Sequence, residues 1–287
     1  MRLYIIRHAD PDYPNNTITC AGHAEARALA QRLANEGLTR LYSSPLGRAR
    51  DTAVHTAEAT GLEVGIEPWT AELGELRMSA GPLAGMMVWD AHGHLFRAQP
   101  RLAASDRWDR LPFIQQALAE PEARAADASD ASGTASASSP SQEPMAPVGS
   151  NGDGRHGEKA RSATDPGQVR DYRAVVERVA ADSDAFLARH GYQREGGAYR
   201  VVQPNTERIA VFCHGGLGLT WLAHLLAIPV PLMWAAFWLA PSSVTTVLMD
   251  ERVDGLATPR CLALGDTSHL HAAGLPIQPA GIKANFT

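Results

Sequence analysis

Residues 3–6, Leu-Tyr-Ile-Ile, form a short apolar run that stops abruptly at Arg7-His8. A run this short, without polar alternation, suits a strand buried on both faces, as in a parallel sheet. Parallel neighbours need crossover connections, so a chain that opens this way needs helices between its strands. In open α/β sheets the carboxyl ends of the strands line the ligand crevice. Arg7 and His8 stand at such an end, although an Arg-His pair there reads equally well as surface.

The rest of the chain supplies the alternation. Thr19 begins a helix over 20–36, closed by Gly37, and 38–43 is a second strand. Ser43-Ser44-Pro45 starts a helix over 46–60 that ends at Gly61, and 62–66 is a third strand. After a less patterned stretch, helices are expected near 108–118 and over 169–190. A hairpin over 192–202 turns at Gly196-Gly197. A strongly buried strand over 208–213 ends in His214-Gly215-Gly216, and 244–249 and 260–264 complete the strands.

Composition separates off one segment. Residues 123–168 are dominated by Ala, Ser, Asp, Gly and Pro. With almost no large apolar side chains they cannot offset the entropy of ordering, so a disordered insertion is expected. Gly152, Gly154 and Gly157 have dinucleotide-fingerprint spacing, but no strand precedes them and no helix follows.

The 287 residues suffice for one large α/β domain or two small ones. A net charge of −5 argues against a general nucleic-acid binder. Three cysteines, at 20, 213 and 261, have no metal-ligand or redox spacing, which suggests a reducing, cytoplasmic setting. His92 and His94, and His269 and His271, have no Cys or acidic cluster beside them and read as loop histidines, so no metal or other cofactor is expected. Residues 221–241 have the length of a membrane span, but His224 and Pro229-Val230-Pro231 make two buried helices joined by a proline turn the better reading.

Four features thus fall at strand ends or helix starts, in order: Arg7-His8-Ala9, Ser44-Pro45-Leu46-Gly47-Arg48-Ala49, Leu73-Gly74-Glu75, and Cys213-His214-Gly215-Gly216. Together with Thr19 and Gly22, they make the chain resemble the histidine phosphatase superfamily (phosphoglycerate mutase-like) over residues 1–90 and 205–265. The resemblance implies a single domain over 1–287. Its fold is a three-layer α/β/α sandwich on a mixed, mostly parallel six-stranded sheet, with 83–204 as a cap or insertion. It implies a metal-independent phosphomonoesterase acting on a small phosphorylated metabolite. His8 is then the nucleophile that forms phosphohistidine, Arg7, Arg48 and His214 bind phosphate, and Glu75 is the proton donor, with Glu72 as the alternative acid. Asn15 or Asn16 could replace a phosphate-contacting Asn of the family, and Ala9 stands where a Gly is usual. A phosphoglycerate mutase and a catalytically weak phospho-ligand binding module remain open. Substrate identity and oligomeric state are not legible.

Overall fold

Strand β1 (Arg2–Arg7) lies in the middle of the sheet and is paired on both sides. In the computed structural model, which describes residues 1–118 and 171–282, its partners are β6 (Arg208–Cys213), parallel, and β7 (Val244–Val253), antiparallel. The other strands are β2 (Arg40–Ser43), β3 (Val64–Ile66), β4 (Tyr192–Glu195), β5 (Ala198–Val201) and β8 (Leu256–Asp266). They order as β3-β2-β6-β1-β7-β8-β5-β4. The first four run parallel, and the pairings from β1 through β7 and β8 to β5 and β4 are antiparallel.

The mixed α/β architecture is as expected, with eight strands instead of six. The extra pair is the hairpin β4–β5, which was assigned to the insertion. Its inner strand, β5, joins the sheet through Arg200↔Leu256 and Tyr199↔Ala257, and Tyr192 and Tyr199 are fully buried. The hairpin therefore adds area to the core. The expected disordered insertion, residues 123–168, lies outside the described residues.

Alternation along β1 builds the three layers. Leu3 and Ile5 face one core with Val175, Val179, Phe186 and Leu187 of α3 (Tyr172–Arg189) and Leu217, Trp221 and Leu222 of α4 (Gly215–Leu226). Tyr4 and Ile6 face the other, with Leu29 and Leu33 of α1 (Cys20–Ala34) and Ala53 of α2 (Gly47–Thr60). The apolar stretch at 221–241 divides between α4 and α5 (Val230–Ala236), as expected. No helix among the described residues is long and apolar enough to cross a membrane.

Register sets the site. Arg7 pairs with Cys213, and Ser43 with Phe212, so β1, β6 and β2 end at one level. His8, His214 and Ser44 follow immediately, tied by His8 N–H to the Cys213 carbonyl (2.9 Å) and Ser44 N–H to the Phe212 carbonyl (2.8 Å).

Thr19 caps α1, its hydroxyl accepting from the Gly22 N–H at 3.0 Å and donating to Asp10 Oδ2 at 2.7 Å. A Cβ on Gly22 would strike the Asp10 carbonyl and the Ile18 side chain. Both are held by the chain, so relief requires backbone movement just beyond His8. Gly22→Ala is expected to cost about 1–3 kcal/mol, read as a lower Tm, and to reduce activity more than that loss of folded protein explains. Unchanged Tm and activity would show that the helix shifts freely.

Candidate active site

His8 is 1% exposed and its ring is fixed by its own neighbour. Nδ1 lies 2.8 Å from the Ala9 carbonyl, which can only accept, so Nδ1 carries the proton and Nε2 keeps its lone pair. Burial first, then the Arg7 charge, holds His8 well below the usual histidine range, with Arg48 adding to this. The ring is therefore neutral, with one nitrogen free, near neutral pH.

Three cationic or polar groups surround it. Arg7, 6% exposed, donates through Nη1 to the carbonyls of Leu239 (2.6 Å) and Ala280 (3.2 Å). Arg48, in the first turn of α2, donates to Asn16 Oδ1 at 3.1 Å and lies over the Tyr13 ring at 5.4 Å. His214 is fully buried, its ring 5.2 Å from that of His8, with Nε2 2.7 Å from Ser44 Oγ. That hydroxyl also accepts from the Leu46 N–H. Burial, then His8, Arg48 and Arg7, hold His214 well below its usual range.

Arg7 Nε, Arg48 Nε and His214 Nδ1 are each buried with no hydrogen-bond partner among the described residues. An unpartnered buried polar group is costly, and native proteins rarely leave one unless a ligand or water completes it. Three around one free imidazole nitrogen outline a place for an anion. Gly215 leaves Arg7 Nε uncovered from its side: a Cβ there would come to 3.5 Å from it. Gly216 has a different reason to be Gly, since the Trp89 ring occupies the space its Cβ would need.

The structure separates the two candidate acids. Glu75, assigned as the proton donor, lies outside this cluster. Its carboxylate, 41% exposed, accepts from Arg178 Nη2 at 2.8 Å. Glu72 instead turns inward to the start of α4 and accepts from the N–H groups of Gly216 (3.2 Å) and Leu217 (2.9 Å). Burial raises its pKa, against the pull of those two amides, the Leu73 amide and the Arg48 charge. Glu75 lies within a short 3₁₀ turn (Gly74–Leu76) that begins two residues after Glu72.

Of the asparagines, Asn16 reaches the site by holding Arg48, whereas Asn15 bonds to Asp12 at the surface. Tyr13, 57% exposed, meets His8 edge-on with ring centroids 6.3 Å apart. Sequence reasoning missed it because loop aromatics carry no periodic signal. Asp10 faces back into the fold toward Thr19, and Arg50 is exposed.

The profile of the histidine phosphatase superfamily (branch 1) matches residues 3–139, taking in Arg7, His8, Arg48 and both glutamates. That match spans just under half of the chain, over which it resembles the histidine phosphatase superfamily. Among curated proteins, a probable phosphoglycerate mutase GpmB from Serratia proteamaculans is 34% identical over 82 residues, 25% of this chain and 38% of the relative. The corresponding protein of Photorhabdus laumondii is 32% identical over the same shares. The chain thus matches 38% of the length of these relatives. A phosphoserine phosphatase from Entamoeba histolytica, crystallised with 3-phosphoglyceric acid, shares the fold. It has a TM-score of 0.51 and 17% identity, covering 94% of this chain and 98% of that one.

Arg48→Lys is expected to lower kcat/KM about 10²- to 10³-fold. An ammonium cannot present the planar fork or stay stacked on Tyr13, and each charge-assisted bond contributes about 1.5–3 kcal/mol. Unchanged efficiency would remove Arg48 from the pocket.

Proposed function

We propose that this protein is a member of the histidine phosphatase superfamily, a metal-independent phosphomonoesterase that passes a phosphoryl group from a small phosphorylated metabolite to water through phosphohistidine on His8. The observation that carries the reading is the set of three unpartnered buried donors around a histidine with Nε2 free.

His8 Nε2 attacks phosphorus as the P–O bond to the leaving alcohol breaks, so one difficult displacement becomes two easier ones. The three non-bridging oxygens meet Arg7, Arg48 and His214, which stabilise their charge without reorganising. If the Ser44 hydroxyl donates to His214 Nε2, Nδ1 carries the proton and points a donor at the anion. Glu72, whose neutral form is favoured by burial, protonates the leaving oxygen. As a carboxylate it then takes a proton from the water that attacks phosphorus. The P–N bond breaks, inorganic phosphate leaves, and both groups return to their starting states.

Mutase activity is the second reading, favoured by the names of the curated relatives. Those matches cover 82 residues, and both reactions would use the same histidine and arginines. A mutase must shield its phosphohistidine from water. The run after Glu75, Leu76-Arg77-Met78-Ser79-Ala80-Gly81, lacks the Arg-x-Tyr-Gly of the mutases.

The experiment is turnover of p-nitrophenyl phosphate in EDTA, followed by incubation with 3-phosphoglycerate and a trace of 2,3-bisphosphoglycerate. Phosphate release in both supports a hydrolase. Rapid isomerisation with little free phosphate would make the protein a mutase. Tight phosphate binding without turnover would make it a binding module.

A further inference from the structure

Behind the nucleophile lies a second titratable group that the mechanism above does not use. Glu25 of α1 is 2% exposed. Its Oε2 accepts from the N–H of Asp10, two residues beyond His8, at 2.9 Å; its Oε1 is buried with no hydrogen bond within 3.5 Å among the described residues, the Ser242 hydroxyl being the polar group that acts on the carboxyl. Ser242 sits between this carboxyl and the site. Its backbone N–H donates to the His8 carbonyl at 3.1 Å, and its hydroxyl lies 3.1 Å from His269 Nε2. Ser242 holds a left-handed backbone, φ +57°, a conformation a non-glycine residue adopts only when its surroundings require it. Glu25, Ser242 and His269 thus form a closed layer beneath residues 8–10.

The groups acting on Glu25 are Arg7 and Asp10, at and just beyond the end of β1, and Ser242, from the loop before β7. His269, on the helix Ser268–Ala272, lies beyond Ser242, and the Arg32–Asp266 ion pair acts on it. Burial and the Asp10 charge favour the neutral carboxyl. The Asp10 amide, Ser242 and the Arg7 charge favour the carboxylate, and the balance places Glu25 at about 7. His269 is pushed down to about 4, chiefly by burial, so it stays neutral while Glu25 titrates.

Arg7 is shared between this layer and the anion pocket. In the empty site its charge stabilises the Glu25 carboxylate. A bound dianion takes up that charge and adds its own repulsion, and both changes favour the neutral acid. Resting on the phosphotransfer reading above, we propose that Glu25 is a positioning residue coupled to oxyanion binding: its carboxylate takes a proton from solvent when a phosphoryl dianion fills the pocket and returns it when phosphate leaves. The sign follows by linkage. Whatever makes Glu25 neutral also makes the pocket bind anions more tightly, so affinity is highest below the titration of Glu25 and falls as pH rises through it.

The test uses the full chain and sulfate, a tetrahedral dianion whose charge is constant from pH 6 to 8. Calorimetry in two buffers of different ionisation enthalpy gives the protons taken up on binding. For the wild type, uptake near pH 7 is expected, with sulfate binding roughly fivefold tighter at pH 6 than at pH 8, which corresponds to a shift of about one unit on binding. Glu25→Gln keeps the acceptor for Asp10 and should bind sulfate with no uptake and a flat pH dependence. Uptake that persists in Glu25→Gln would assign the proton to His8 or His214 and overturn the proposal. If Glu25→Gln does not fold, the wild-type slope decides, and pH-independent sulfate binding overturns the proposal alone. Turnover without sulfate binding also overturns it. Absence of both binding and turnover removes the phosphotransfer reading, and the coupling with it.

Discussion

A His8→Ala protein is expected to fold, to keep its affinity for sulfate, and to lose turnover by about four to six orders of magnitude. The three results belong together. The substitution removes the attacking nitrogen and leaves Arg7, Arg48 and His214 in place, so the anion site survives. The structural loss is one ring and its bond to the Ala9 carbonyl, while the backbone at His8 remains tied to Cys213 and Ser242. Calorimetry with sulfate, circular dichroism and p-nitrophenyl phosphate assays measure the three outcomes. A folded His8→Ala protein with wild-type turnover would end the phosphohistidine mechanism.

The second large effect distinguishes the two glutamates. Glu72→Gln is expected to slow alkyl phosphates about 10²- to 10⁴-fold and p-nitrophenyl phosphate far less, because p-nitrophenolate leaves with little protonation. Glu75→Gln should stay within about threefold of wild type, since it alters only an exposed ion pair with Arg178. Glu72 also caps the start of α4, so its removal has a structural cost. A purely structural role would lower Tm and slow both substrates equally. Equal loss on both leaving groups would therefore refute Glu72 as the acid, and a large, leaving-group-dependent loss in Glu75→Gln would transfer the role to Glu75.

Acid stability follows from the same burial. His8 and His214 are held well below 6.5 in the folded protein. Between those depressed values and 6.5 the unfolded chain binds more protons than the folded one, so stability rises with pH across that window and is lost as pH falls through it.

The parts of the site that were legible in the sequence are those fixed by strand ends. Residues 3–6 and 208–213 are apolar runs whose lengths leave Arg7-His8 and His214 at their carboxyl ends, and adjacent parallel strands bring such ends together without further information. Arg48 was legible because Ser-x-Leu-x-Arg fixes its place in a first helical turn. Which of Glu72 and Glu75 turns toward the start of α4 was not, because the irregular segment after β3 has no periodicity to say which of two glutamates three residues apart faces inward. The hairpin at 192–201 was recognised as a hairpin, but its membership of the sheet depends on meeting Leu256 and Ala257, about sixty residues later. Asn16, Ser44 and Glu25 owe their places to tertiary contacts with no local signature.

The placement of β1 also has a consequence for folding kinetics. The first strand of the chain is completed by Arg208–Cys213 on one side and Val244–Val253 on the other. Neither neighbour exists until about two hundred further residues have been synthesised. Until then Leu3, Tyr4, Ile5 and Ile6 have no ladder to join, and closing so long a loop is entropically slow. The β1 segment therefore emerges from the ribosome as an unpaired apolar strand, open to chaperone capture or self-association. His8 is translated about two hundred residues before the strands that position it.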